Sequence, residues 1–185
     1  TRDEAIRPRM SERLLARAPH VTNVPDGILT AANACTMNDG AAFVALASED
    51  WVKAHGAHLM AEIKAVRAFG GDAACSPLMA DQAVSLLLSQ EGLSYEDIDA
   101  FEYNEAFAVI SADFMGRHPS VKDRLNCFGG ALAYGHPYGA SGAEIMIHLI
   151  AILKQKNGRY GVAAIPAAGG VAEAILIENK MGRDA

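Results

Sequence analysis

The sequence contains little cysteine and no concentration of positive charge. Its three cysteines are widely spaced and lack the C-x-x-C spacing that is typical of metal sites and redox pairs; they are Cys35, Cys75 and Cys127. We interpret them as reduced thiols of a cytoplasmic protein. The 16 basic and 22 acidic side chains give a formal net charge of −6, and no basic run occurs. A nucleic-acid surface usually carries a basic patch, so we expect no nucleic-acid partner.

Long apolar runs are also missing. A membrane-spanning helix needs about 20 mainly apolar residues. The best candidate, residues 145–153, is too short and is interrupted by His148. The first ten residues are charged from the outset and lead into no apolar signal core. We therefore expect a soluble protein with no membrane partner. Because the chain starts with Thr1 rather than Met, we also expect a processed, trimmed or separately encoded part of something longer.

What the sequence does contain is enough apolar material for one sizeable core, with 51% hydrophobic residues among 185. Residues 1–27 are punctuated by Arg and Pro and predict a surface arm with one short helix at 11–17, followed by a domain over 28–185. Hydrophobic periodicity predicts strands at 41–47, 59–69, 98–103, 161–167 and 171–177, and helices at 49–55, 80–90, 107–115 and 143–154. This alternation predicts an α/β fold in which a sheet is layered with helices.

The last predicted helix is apolar around nearly its whole circumference. Between residues 143 and 153 the clearly polar side chains are Glu144 and His148. A helix of this kind is usually buried on all sides. Because one sheet covers a helix on one face only, the other face should require a second sheet or another subunit.

A glycine-rich stretch over residues 129–142 surrounds one histidine, His136, directly before this helix. Glycine allows a ligand to approach the backbone closely, and Pro137 restricts the chain beside the histidine. An imidazole can take or give a proton near neutral pH, or stabilise an oxyanion. Taken alone, the stretch is equally consistent with a tight packing turn whose histidine has ordinary hydrogen-bond partners.

Asn104 and Glu105 lie between the predicted strand at 98–103 and the predicted helix at 107–115. Ligands of α/β proteins bind at such strand ends. The Asn104 amide could hold a water or an oxygen atom, and Glu105 could support the start of the helix. Taken alone, the position favours a simple helix N-cap, where Asn is a preferred residue.

Considered together, the two segments have the pattern of a known family. Asn104-Glu105-Ala106-Phe107-Ala108, followed by the run at 129–143 that contains Gly135-His136-Pro137, closely resembles the thiolases, and the spacing between the motifs matches as well. Residues 30–42 are similar to the segment that opens the second half of a thiolase, and residues 160–170 are similar to its last motif. The resemblance covers residues 6–178 and indicates the C-terminal half of the family's fold.

This resemblance implies an αβαβα architecture built from two α/β halves, each a mixed sheet with helices on both faces. It implies an acyl-CoA C-acyltransferase that cleaves 3-oxoacyl-CoA with CoA, or catalyses the reverse Claisen condensation, as part of a complex. By resemblance, His136 activates a nucleophilic cysteine and, with a water held by Asn104, forms the oxyanion hole for the thioester enolate. CoA is then a substrate or product, and we expect no other cofactor and no metal.

The same resemblance implies a tunnel for the pantetheine arm of CoA. Its lining is expected near Ala34, Cys35, Met37, Phe107 and Tyr138. Cys35 stands where serine is common in the family, and burial as a small apolar residue explains it equally well. None of the three cysteines lies in a segment that resembles the family nucleophile. We therefore expect a nucleophile-bearing partner chain, equivalent to the N-terminal half, in a hetero-oligomer.

Two positions depart from the family pattern. Pro166 occupies the position of the second catalytic cysteine, and a proline has no titratable proton for the acid/base step. Ala168 replaces a glycine whose backbone N–H completes a second oxyanion hole, and alanine retains that N–H. Three hypotheses follow: a catalytic half-subunit, a structural subunit that completes the fold of an active partner, and a decarboxylating or aldol-type condensing enzyme that needs no second cysteine.

Overall fold

A computed structural model describes residues 6, 9–21, 24 and 27–182. The predicted arm over residues 1–27 lies partly outside the described residues, so its boundary with the domain at residue 28 stays a prediction. The α-helices of the described part are α1 (Glu12–Leu15), α2 (Glu49–His55), α3 (Met79–Glu91), α4 (Ala108–Arg117), α5 (Ala131–Tyr134) and α6 (Ser141–Lys156). The strands are β1 (Ala61–Gly70), β2 (Ala100–Tyr103), β3 (Tyr160–Ala167) and β4 (Val171–Asn179). Short 3₁₀ helices occur at Ala73–Leu78, Tyr95–Asp97 and Lys122–Arg124.

These four strands form one mixed sheet in the order β1-β4-β3-β2. β3 and β4 pair antiparallel and are joined through Gly169 and Gly170, whose φ angles of 93° and 77° suit a tight turn. β1 continues the antiparallel pairing on the other side of β4. β2 runs parallel to β3 because the chain between them crosses over through α4, α5 and α6. The carboxyl ends of β2 and β3 therefore lie at the same end of the sheet.

Side chains of the strands alternate between two hydrophobic cores, one on each face of the sheet. The core under α3 combines buried residues of that helix with residues of all four strands, among them Ala83, Val84, Leu87, Phe101, Val162 and Leu176. The core under α6 is built in the same way, from Ala100, Ile145, Leu149, Ile152, Ala163 and Ile177. The predicted α/β fold, with a mixed sheet and helices on both of its faces, is confirmed.

Most predicted elements occur within a few residues of their predicted bounds. The strands predicted at 59–69, 98–103, 161–167 and 171–177 are β1 to β4, and the helices predicted at 49–55, 80–90, 107–115 and 143–154 are α2, α3, α4 and α6. Gly92 ends α3 with a φ of 67°. The helix predicted at 11–17 shortens to α1, where the Ser11 hydroxyl accepts a hydrogen bond from the Leu14 N–H at 3.3 Å. Among the described residues, no helix is both long enough and apolar enough to cross a membrane.

The predicted strand at residues 41–47 is wrong. The segment carries no regular secondary structure, and Phe43 and Leu46 are 92% and 77% exposed. None of the four described strands pairs with it, and its backbone makes no hydrogen bond within the described part of the chain. A strand forms only beside another strand that satisfies its N–H and C=O groups. The prediction came from the apolar residue types of this segment, and residue types do not show whether a neighbouring strand is present.

One side of α6 is not covered by the described residues. Ile145, Leu149 and Ile152 are buried against the sheet, whereas Ile147 on the opposite side is 41% exposed. Beside the helix, an apolar groove of about 790 Å³ crosses β1, β4 and β3 and includes Val44 from the unpaired segment. The described residues thus bury α6 on one face only, and the burial on all sides predicted from its composition would need further protein.

A buried polar network lies within the core under α3. Asp81 is 7% exposed, and its Oδ1 accepts hydrogen bonds from the hydroxyl groups of Tyr95 at 2.9 Å and Tyr103 at 3.1 Å. The Nε2 of His118 lies 3.1 Å from the same oxygen, and its ring stacks on Tyr95 with centroids 3.7 Å apart. Burial, followed by the Asp81 charge, raises the pKa of both tyrosines, so both remain protonated donors. The network links α3 to the entry into β2 and to the end of α4.

We expect Asp81→Ala to destabilise the protein because the buried Tyr103 hydroxyl loses the carboxylate that accepts its hydrogen bond, while Tyr95 keeps only its 3.3 Å bond to the backbone carbonyl at position 81. A stranded buried hydroxyl costs about 1–3 kcal/mol. The matched control is Asp113→Ala, which removes a partly exposed carboxylate paired with Arg117 at 2.8 Å on one face of α4. Such a surface pair contributes roughly 0.3–0.5 kcal/mol. Urea unfolding of both variants measures the difference, and equal midpoints would contradict a structural role for the network.

Candidate active site

The carboxyl end of the sheet gathers several of the predicted site residues. Just beyond β2, the Asn104 N–H donates to the Ala164 carbonyl of β3 at 2.9 Å, which extends the parallel pairing by one residue. Pro166 follows two residues later in β3, partly buried and opposite Ala172 of β4. Ala168 is exposed in the turn between β3 and β4. Asn104 and Pro166 therefore lie at the same end of adjacent strands.

Asn104 does not cap α4. The N-cap of that helix is Phe107, and no side chain caps its first turn. A tight turn follows Asn104 instead, because the Ala106 N–H donates to the Asn104 carbonyl at 3.0 Å. Asn104 is 2% exposed, yet its amide is not used for the helix start. The N-cap interpretation of this position is therefore wrong, and the amide is free to contact the histidine loop.

Glycine geometry shapes the backbone that presents His136. Gly135 has φ 97° and ψ 178°, a conformation that is essentially restricted to glycine. A Cβ at this position would overlap the side chain of Asn38. The following N–H, that of His136, donates to the Thr36 carbonyl at 2.9 Å, and Met37 forms an isolated parallel bridge with His136. The segment around Thr36 to Asn38 thus packs directly along the histidine loop.

The His136 ring lies between two buried polar side chains. Its Nε2 is 3.2 Å from the Asn104 Nδ2, and its Nδ1 is 2.6 Å from the Ser141 Oγ. Ser141 is 3% exposed and is the first residue of α6. Burial lowers the pKa of His136 from its ordinary value of 6.5. The ring is therefore neutral at pH 7 and can accept a proton beside an amide that donates hydrogen bonds.

Most of the residues expected to line the pantetheine tunnel lie close to this pair. Ala34 forms an antiparallel bridge with Phe107, and the Cys35 N–H donates to the Ala106 carbonyl at 2.9 Å. Tyr138 is edge-on to the His136 ring, with centroids 4.5 Å apart. Met37 and Tyr138 are 77% and 65% exposed, so both offer open apolar surface beside the histidine.

A second group of ionisable side chains lies beneath the site and was not expected from the sequence. Glu102 of β2 is fully buried, and neither carboxylate oxygen has a hydrogen-bond partner among the described residues. Burial, with a further contribution from the charge of Glu105, raises the pKa of Glu102 to about 8. The Nδ1 of His148 lies 3.7 Å from its Oε2. At pH 7 this carboxyl is mostly protonated, so it adds little charge below Asn104.

The other sulfur atoms and possible metal ligands lie elsewhere. Cys75 belongs to the edge of the core under α3, and Cys127 contacts the Nζ of Lys156 at 3.1 Å. No disulfide joins the three cysteines. Within the ranges that the structure describes, no group of three or more His, Cys, Asp and Glu side chains could hold a metal ion. At the carboxyl end of the sheet, the structure brings together the polar side chains of His136, Asn104 and Ser141.

Comparison with known proteins agrees with this geometry. Residues 57–179 match the family model described as thiolase, C-terminal domain. Acetyl-CoA acetyltransferase IA of Candida tropicalis is 37% identical over 175 residues, which cover 92% of this chain and 42% of that protein. The mitochondrial 3-ketoacyl-CoA thiolase of Mus musculus is 35% identical over 177 residues, which cover 96% and 44%.

Solved structures give the same result. The Bacillus anthracis acetyl-CoA acetyltransferase superposes with a TM-score of 0.87 at 32% identity, over 96% of this chain and 45% of that one. Human mitochondrial 3-ketoacyl-CoA thiolase in complex with CoA gives a TM-score of 0.83, also at 32% identity and over 96% and 45% of the two chains. The chain belongs to the thiolase family and corresponds to its C-terminal domain. It spans somewhat less than half the length of the relatives that it matches.

We expect Gly135→Ala to displace His136 and destabilise the loop. Alanine in the Gly135 conformation costs about 1–3 kcal/mol, and the added Cβ also displaces Asn38. Gly139→Ala is the control in the same loop, since its added Cβ would meet no atom within 4 Å and its φ is not positive. Urea unfolding and the NMR signals of the His136 ring should change for Gly135→Ala alone. Equal effects of the two substitutions would contradict this account.

Proposed function

We propose that this chain forms the C-terminal half of a thiolase-type acyl-CoA C-acyltransferase. Assembled with an N-terminal half that bears the nucleophilic cysteine, it cleaves a 3-oxoacyl-CoA with CoA or catalyses the reverse Claisen condensation. The observation that carries this proposal is the contact between Nε2 of His136 and the Asn104 amide at the carboxyl end of the sheet. The names of the relatives, acetyl-CoA acetyltransferase and 3-ketoacyl-CoA thiolase, supply the substrate class.

In this proposal His136 first acts as a base. Its lowered pKa keeps the ring neutral at pH 7, so Nε2 can take the proton of the cysteine thiol and generate the thiolate nucleophile. The protonated Nε2 and a water held by Asn104 then form hydrogen bonds to the thioester oxygen as it becomes an enolate. A buried amide is a fixed dipole and needs no reorganisation during the step, which favours this role for Asn104.

Residues around this pair would receive the pantetheine arm of CoA, which is substrate or product and not a resident cofactor. Ala34, Cys35, Met37, Phe107 and Tyr138 form the proposed lining. Support comes from their position beside the histidine loop and from the exposed apolar surface of Met37 and Tyr138. The backbone N–H of Ala168 is proposed to serve a second oxyanion hole, since it follows Pro166 in the turn after β3.

Uncovered apolar surface supports assembly with an N-terminal thiolase half on a partner chain. The outer side of α6, the groove beside it and residues 41–47 are all accessible in the described structure. The segment at 41–47 adds a specific requirement, because its backbone groups can be satisfied by strand addition to a sheet edge. An N-terminal half of similar α/β construction could supply both an apolar helix layer and such an edge.

Pro166 favours a second candidate function, that of a structural subunit. If the position requires a thiol, the acid/base step that removes or returns the substrate α-proton is missing, and the chain would complete the fold of an active partner without taking part in catalysis. A decarboxylating or aldol-type condensing enzyme would also tolerate the proline. Malonyl and acetyl donors, assayed separately, distinguish that third hypothesis.

For the catalytic proposal, we expect His136→Ala to lower kcat/KM for thiolysis of a short 3-oxoacyl-CoA by about 10²–10⁴-fold. Asn104→Ala should lower it by about 10²–10³-fold, since an oxyanion donor is lost. The assay uses the assembled enzyme, with this chain and its cysteine-bearing half together. His58→Ala, on an exposed histidine between α2 and β1, is the control and should retain full activity.

A companion variant separates catalysis from assembly. Ile147→Asp places a charge on the uncovered side of α6 and should prevent association with the N-terminal half while the chain itself still folds. If His136→Ala and Asn104→Ala leave turnover unchanged and Ile147→Asp abolishes the complex, the structural-subunit function is correct and the catalytic one is wrong.

Pro166→Cys tests how the missing thiol is replaced. We expect the substitution to raise the rate of α-proton exchange in acetyl-CoA by about 10²-fold, because it returns an acid/base group to the end of β3. Pro166→Ala is the matched control: it restores the backbone N–H but supplies no thiol. Hydrogen–deuterium exchange of the substrate methyl group measures the step. Equal rates for the two variants would mean that another group of the assembled enzyme already carries the proton.

A further inference from the structure

We infer that Ser141 is a positioning residue that accepts the Nδ1 proton of His136 and so, together with the Asn104 amide, holds the tautomer in which the unprotonated ring nitrogen is Nε2 and faces Asn104. The catalytic consequence rests on the proposed function. The tautomer itself is a property of this chain, and it can be measured without a partner.

The hydrogen-bond donors around the ring determine its protonation. The Nδ2 atom of Asn104 belongs to an amide NH₂ group, which can only donate, and it lies 3.2 Å from Nε2. Nε2 must therefore be the acceptor, with no proton of its own. A neutral imidazole carries one N–H, so Nδ1 holds the proton and donates it to the Ser141 Oγ at 2.6 Å.

The Ser141 hydroxyl is not used to cap α6. Ser141 is the first residue of the helix, the N-cap before it is Ala140, and no side chain caps the helix. The hydroxyl is buried, and among the described side chains it contacts the His136 ring. Since α6 is 16 residues long, the positive end of its macrodipole also lies near the ring. That end disfavours the imidazolium and acts in the same direction as burial, which keeps the resting ring neutral.

The tautomer decides whether His136 can act as a base toward the side of Asn104. When a cysteine thiol of the N-terminal half approaches, its S–H bond breaks and an Nε2–H bond forms, which leaves a thiolate and an imidazolium. Nδ1–H remains bonded to Ser141 throughout. Nε2 then changes from acceptor to donor, and it and a water held by the Asn104 amide can both donate toward one oxyanion. With the opposite tautomer Nε2 would already carry its proton and could not accept one.

Nitrogen-15 NMR of the histidine rings tests the inference in the purified chain. The His136 signals, assigned by their loss in His136→Ala, should show an N–H-type Nδ1 and a lone-pair-type Nε2 at pH 7. Ser141→Ala should shift the ring toward the Nε2–H tautomer, whereas Ser141→Thr, which keeps the hydroxyl, should retain the original one. Ser111→Ala is the control for loss of a buried serine hydroxyl, since Ser111 is 7% exposed and bonds to Glu105 instead.

Two results would overturn the inference: an Nε2–H tautomer in the unchanged chain, or an unaltered tautomer in Ser141→Ala. The first needs no variant, so the test holds even if Ser141→Ala fails to fold. In the assembled enzyme, Ser141→Ala should lower kcat/KM about 10- to 100-fold, the effect of losing a hydrogen bond to a charged group. Ser141→Thr should restore it. An Nδ1–H tautomer in a complex without thiolase activity would leave the role of Ser141 in place and reject the proposed function.

Discussion

The parallel pairing of β2 with β3 is the constraint on which the candidate site depends. It brings the carboxyl ends of two strands together. Its last hydrogen bond, from Asn104 to Ala164, is made by the residue whose side chain contacts the His136 ring. The crossover that parallel pairing requires returns through α6, whose first residue then contacts the His136 ring. Residue 104 is far from residues 136 and 141 along the chain, and one topological feature makes them neighbours.

Most of the fold could be predicted from the sequence because its periodicity is strong and local. The alternation in β3 and β4 and the apolar residues of α6 specify strand and helix without knowledge of their partners. Residues 41–47 carry the same apolar signal and form no strand, because pairing depends on a neighbouring strand that residue type does not encode. The interpretation of Asn104 as an N-cap is also wrong, because the turn through Ala106 places the start of the helix at Ala108.

The candidate site was only partly predictable. His136 and Asn104 stand out through their motifs, whereas Ser141 appears in the sequence as one small residue of a glycine-rich run. Its contact depends on the angle at which α6 begins, which no local pattern specifies. The buried carboxyl of Glu102 was missed for a similar reason: a Glu in a four-residue strand does not reveal that both faces of the sheet are covered. The Ser141 contact and the burial of Glu102 both depend on how helices and strands pack against one another.

The unpaired segment at residues 41–47 also bears on how the chain behaves before it assembles. It presents an extended, apolar stretch with open backbone donors and acceptors, the kind of surface that adds to any strand edge it meets, including that of another copy. A high concentration of the chain alone would therefore favour self-association and aggregation. If an N-terminal half covers this stretch, as proposed, synthesis of the two halves together would protect it, and their ratio would determine yield as well as activity.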